Sequence, residues 1–86
     1  MVRPRNLLTR LAGGGVANVR FGDFQRLVEA FGFSLKRVSG SHHVFSHPDV
    51  AELVNLQEIK GEAKPYQVRQ FLRLVERYNL RLEDAP

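Results

Sequence analysis

Three histidines within six residues are the side chains of this 86-residue sequence best suited to chemistry. A histidine titrates near neutrality and can therefore accept or donate a proton at physiological pH. If the segment is a strand, His42 and His43 point to opposite faces, and His43 and His47 stand about 13 Å apart along it. Such a pair does not hold a common metal, Asp49 is the one carboxylate nearby, and the sequence has no cysteine. We therefore expect neither a metal nor another cofactor.

A nucleophilic triad fits these residues no better. Ser41 adjoins His42, but alternation along a strand directs the two side chains apart, and no carboxylate is placed to orient the imidazole. A single histidine acting as general acid or base fits RNA as a substrate, because the 2′-hydroxyl of RNA supplies the nucleophile. The alternative is a histidine pair that only packs in, or caps, a hairpin.

Small and cationic residues near His42 are suited to holding a phosphate. Gly40 and Ser41 let a phosphate approach the backbone, while Lys36 and Arg37 lie on the neighbouring predicted strand within reach of it. Two lysines on a polar connector, residues 60–64, are weaker candidates for contacts to an RNA backbone: Lys60 and Lys64.

These residues lie in a segment whose pattern predicts a sheet. Residues 33–38 form one strand, residues 39–41 a turn, and residues 42–46 the returning strand of a hairpin. Pro48 interrupts the pattern because proline cannot donate to a sheet ladder. Residues 53–56 then predict a third short strand.

Two amphipathic helices flank this sheet. The first, residues 22–31, and the last, residues 66–79, each carry apolar residues at helical spacing. We expect both stripes to be buried on one face of the sheet, which leaves its other face exposed to water. The fold class predicted is α+β, an α-β-β-β-α sandwich with the layout of a double-stranded-RNA-binding domain. The expected core consists of Phe24, Leu27, Val28, Phe31, Val68, Phe71, Leu72 and Val75, with Tyr78 on the same stripe.

Residues 1–20 differ from the rest of the chain in charge. They hold four arginines and no acid, whereas residues 21–86 hold nine basic and nine acidic side chains. Pro4 and the apolar residues Leu7, Leu8 and Leu11 predict a short extra helix, ended by a flexible joint of three glycines. We therefore divide the chain into a loosely attached N-terminal segment, 1–20, and a domain, 21–86. We expect the leucines to dock either on the domain or on a second copy of it. Three arginines are candidates for contact with a partner protein or RNA: Arg3, Arg5 and Arg10.

Two further patterns bear on partners and location. The face of the last helix opposite its apolar stripe carries three arginines, Arg69, Arg73 and Arg77. They form either a solvated face, with Glu76 as an ion-pair partner, or a surface that binds RNA or protein. No apolar run approaches the length of a membrane span or forms a signal peptide. We expect a soluble cytoplasmic protein with no contact to membranes.

A longer motif surrounds the histidines. Gly-Phe at residues 32–33 is followed by RVSGSHHVF at residues 37–45. This arrangement resembles that of HicA-type toxins of bacterial toxin–antitoxin systems, over roughly residues 22–80. The resemblance implies a small ribonuclease with a fold like that of double-stranded-RNA-binding domains, which cleaves mRNA and arrests translation. It also implies that the histidine after Gly-Ser, here His42, is catalytic.

The resemblance further implies a HicB-type antitoxin as partner, expected to bind the exposed sheet face and cover His42. Residues 55–67 lack two features frequent in such toxins, a Pro-x-His segment and a Gly-Thr-Leu before the last helix. The sequence is therefore similar to a divergent branch of the family. A non-catalytic RNA- or protein-binding module of the same fold stays an alternative, and the oligomeric state of the free protein stays open, a monomer included.

Overall fold

The computed structural model describes residues 2–83 and forms three helices and one antiparallel sheet. The strands neighbour one another in chain order, β1-β2-β3-β4. This confirms an α+β fold compatible with that of double-stranded-RNA-binding domains. None of the described helices is long and apolar enough to cross a membrane. The elements are α1 (Pro4–Ala12), α2 (Phe21–Ala30), β1 (Ser34–Ser39), β2 (His42–His47), β3 (Val50–Ile59), β4 (Glu62–Ala63) and α3 (Pro65–Arg77).

The sheet is larger than the sequence pattern predicted. The third strand has ten residues, Val50–Ile59, and the expected polar connector contains a tight turn and β4. Lys60 and Gly61 both have positive φ, 51° and 80°, which is the arrangement of a type I′ hairpin turn. The backbone N–H of Ala63 donates to the carbonyl of Val19 at 2.9 Å. The chain just before α2 therefore extends the sheet beyond β4.

The core lies between the sheet and the apolar faces of α2 and α3. Phe71 is its centre on α3, with its ring 5.5 Å from that of Phe24, 5.7 Å from Phe31 and 5.5 Å from Phe33. The predicted core residues are buried except for Leu72 and Val75 on α3, which are half-buried. Leu74, on the same helix, is buried instead. Leu72 and Val75 line a groove shared with α1, which covers them only in part.

Helix α1 belongs to the same core, in contrast to the loose attachment expected. Leu7 and Leu11 are 1% and 2% exposed and pack in the cluster that contains α2. The leucines thus dock on the domain, which was one of the two alternatives left by the sequence. The guanidinium of Arg10 donates to the carbonyls of Gly15 and Ala17. Arg10 therefore fastens the glycine-rich loop, and the division of the chain at residue 20 stays a prediction.

Candidate active site

The loop between β1 and β2 brings the Gly-Ser-His motif into a tight hairpin. Gly40 has a φ of 58° and is the first residue of a two-residue loop, as in a type II′ turn, where glycine is preferred. No atom lies within 4 Å of the position that a Cβ of Gly40 would occupy. The turn is therefore open to an approaching ligand, and its backbone conformation is the reason for the glycine.

His42 is exposed at the start of β2, on the sheet face opposite the helices. It pairs with Ser39 on β1 and Gln57 on β3. Its Nδ1 lies 3.3 Å from the side-chain oxygen of Asn55. An amide oxygen only accepts hydrogen bonds, so this contact requires a proton on Nδ1. In the neutral ring, Nε2 then carries the free lone pair and can accept a proton.

A chain of hydrogen bonds connects the turn before His42 to helix α3. The side-chain nitrogen of Gln57 donates to the Ser41 hydroxyl at 3.3 Å. The amide of Gln67, on α3, accepts from the backbone N–H of Gln57 at 2.8 Å and donates to the carbonyl of Asn55 at 3.3 Å. The candidate site is thus held on strands and a helix, which position side chains better than mobile loops do. Sequence reasoning missed Asn55, Gln57 and Gln67.

The other two histidines lie on the helix-covered face. The half-buried ring of His43 packs on Phe21, with ring centroids 4.6 Å apart. His47 is 8% exposed, and its Nδ1 accepts from the backbone N–H of Asp49 at 2.9 Å. The three histidines therefore do not converge. Within residues 2–83 no group of three or more His, Cys, Asp or Glu side chains comes together in a way that could hold a metal ion.

The cationic candidates fall into two groups. Arg37 is exposed on β1 opposite Val44, on the same sheet face as His42, and Lys36 lies in an irregularity of the β1–β2 pairing. Lys60 is part of the β3–β4 turn, and Lys64 precedes α3 with its Nζ 5.7 Å from the ring centroid of Tyr66. The structure therefore brings Lys36, Arg37, Gly40 and Ser41 into one hairpin with His42. Lys60 lies outside this hairpin, two residues after Glu58, whose backbone N–H donates to the carbonyl of Ser41 at 2.9 Å, and Lys64 directly precedes α3.

This hairpin and helix α3 lie within the region of a family match. The family described as "HicA toxin of bacterial toxin-antitoxin" matches residues 21–76, well over half of the chain. The chain belongs to the HicA toxin family. This family consists of toxins of toxin–antitoxin systems, a class that implies an antitoxin partner. Comparisons with curated proteins and with solved structures gave no match.

Proposed function

We propose that this HicA-family toxin is a metal-independent endoribonuclease that cleaves mRNA in the cytoplasm and so arrests translation. The observation that carries the proposal is the exposed imidazole of His42, which directly follows the Gly40-Ser41 turn and whose Nδ1 contacts Asn55, so that Nε2 is the ring nitrogen left without a protein partner among the described residues. A group of this kind, next to an open glycine turn and with Arg37 on the same sheet face, can serve the cleavage of RNA.

In the proposed reaction the nucleophile belongs to the RNA. Nε2 of His42 removes the proton of a 2′-hydroxyl, the 2′-oxygen forms a bond to phosphorus, and the bond from phosphorus to the 5′-oxygen breaks. The leaving oxygen takes a proton from water, so the products end in a 2′,3′-cyclic phosphate and a 5′-hydroxyl. Arg37, with Lys36, stabilises the charge that develops on the phosphoryl oxygens, and Gly40 and Ser41 shape the approach.

A second candidate function is binding of RNA or protein without catalysis. The partner of His42 is an amide rather than a carboxylate, so the orienting contact lacks the charge that stabilises an imidazolium in many hydrolases. In this alternative, His42 and Ser41 only shape the turn. RNA cleavage by the purified protein would exclude it.

The antitoxin is proposed to be HicB-like and to cover the sheet face that carries His42. None of the helices among residues 2–83 packs on this face, and it includes Leu53, which is 62% exposed. A bound antitoxin there would block RNA from His42. Hydrogen exchange or crosslinking of the complex tests this: protection of β2 and β3 is expected, and a complex with His42 open to solvent would rule out direct occlusion.

Expression in a host that lacks the antitoxin tests the proposed activity. Wild type is expected to stop growth and degrade mRNA, while His42→Ala does neither, because loss of one proton-transfer group costs about 10²–10⁴ in rate. His43→Ala is the matched control: its ring packs on Phe21, so its loss should lower thermal stability rather than abolish cleavage. Both variants are checked by circular dichroism. If folded His42→Ala is as toxic as wild type, the histidine mechanism is wrong.

A further inference from the structure

A groove of about 390 Å³ runs between β3 and α3, next to the candidate active site. Its lining includes the apolar side chains of Leu53, Leu56 and Leu74. Polar and charged side chains from both β3 and α3 complete it, among them Glu52, Gln70 and Arg73. A volume of this size lies near the lower end of small-ligand sites. The groove therefore suits a single nucleoside and is too small for a duplex.

The rim of the groove carries a positive charge that the protein does not neutralise. Arg73 is exposed and makes no ion pair or side-chain hydrogen bond in the part of the chain that the structure describes. Arg77, one turn further along α3, pairs instead with Glu52 at 2.6 Å. Arg73 is thus the cation at this rim available to an anionic ligand.

Asn55 connects the groove to His42. It lines the groove, and its side-chain oxygen lies 3.3 Å from Nδ1 of His42. Arg37, Val44 and Asn55 are direct neighbours across β1, β2 and β3. Since strands lie about 4.8 Å apart, this row spans roughly 10 Å. A single RNA strand that crosses the sheet along this row passes beside His42 and enters the groove.

We propose that the groove binds the nucleotide that flanks the cleaved bond, with its base on the apolar side chain of Leu53 and its phosphate on Arg73. This inference rests on the proposed function, because it assigns a subsite to the same RNA substrate. Charge complementarity with Arg73 and continuity with His42 through Asn55 favour single-stranded RNA as the occupant. An acidic segment of the antitoxin is the competing occupant.

Binding of a fluorescent single-stranded 12-nucleotide RNA, measured by anisotropy between 50 and 200 mM salt, tests the proposal. All proteins carry His42→Ala, so that the RNA stays intact. Added Arg73→Ala should weaken binding about two- to fivefold, the effect of one exposed ion pair, and reduce the salt slope by about 0.7, the value for one phosphate contact to a single strand. Arg81→Ala removes the same charge outside the groove and should change neither quantity.

A second variant separates the apolar contact from the charge. Leu53→Asn should weaken RNA binding at every salt concentration without changing the slope, and it should leave thermal stability nearly unchanged because the side chain is 62% exposed. Equal effects of Arg73→Ala and Arg81→Ala, or no effect of Arg73→Ala and Leu53→Asn, would overturn the subsite. Loss of antitoxin affinity with unchanged RNA binding would also overturn it. This assay measures RNA binding and not cleavage. A wild-type protein that fails to cleave RNA in a separate assay would therefore contradict the proposed function but not the subsite.

Discussion

Phe71→Ala should remove the centre of the core and bring the domain close to unfolding. The ring is 2% exposed and meets three other aromatic rings at centroid distances of 5.5–5.7 Å. Truncation of a buried phenylalanine costs about 3–5 kcal/mol. The three edge-to-face contacts place the cost in the upper half of that range. A domain of this size has about 5–8 kcal/mol in total.

Urea unfolding followed by circular dichroism measures the loss. The midpoint should fall by more than half, with thermal unfolding at least about 16 °C lower. Phe71→Leu keeps much of the volume and should cost less than half as much, so it remains measurable if the alanine variant does not fold. Tyr66→Ala, on the exposed side of the same helix, should change stability by under about 1 kcal/mol. A folded Phe71→Ala that loses no more than Tyr66→Ala would refute the described packing of α3.

Three further outcomes are expected. Asn55→Leu should lower the cleavage rate about fivefold, because it removes one hydrogen bond of about 1 kcal/mol. Nitrogen NMR should show that the proton of the neutral His42 ring no longer prefers Nδ1, and an unchanged tautomer would contradict the positioning role of Asn55. The pKa of Glu52 is lowered from 4.5, mainly by the hydrogen bond from Tyr78. The carboxylate therefore stabilises the fold above pH 4.5 and loses this effect as the pH falls. The difference in melting temperature between wild type and Glu52→Gln should disappear in acid, and a difference that stays constant with pH would refute this. Leu7→Ala should cost about 2–4 kcal/mol, whereas a loosely attached α1 would give almost none.

Local pattern was enough to predict the helices and the hairpin. Apolar residues at i, i+3, i+4 and i+7 placed α2 correctly, because helical spacing is set within the segment itself. The sequence predicted a turn at residues 39–41; in the structure Ser39 pairs with His42, so the loop is the two residues Gly40 and Ser41. The alternation of side chains along β2 likewise separated His42 from His43 correctly.

The features that sequence reasoning missed depend on contacts between distant segments. The contact of His42 with Asn55 requires the register of β2 against β3, and that register shifts between Phe45 and His47, so it cannot be counted from the turn. β4 exists because it pairs with β3 and with the chain at residues 19–20. Leu74 is buried because the sheet packs on its side of α3, which helical periodicity alone does not specify.

The most direct test of the central claim is the cleavage of a defined single-stranded RNA by the purified toxin in EDTA. Wild type should produce fragments that end in a 2′,3′-cyclic phosphate and a 5′-hydroxyl. His42→Ala should lower the rate by about 10²–10⁴, and an RNA with a 2′-deoxy sugar at the cleaved position should resist wild type. Fragments with a 3′-hydroxyl and a 5′-phosphate, or undiminished cleavage by folded His42→Ala, would contradict the account.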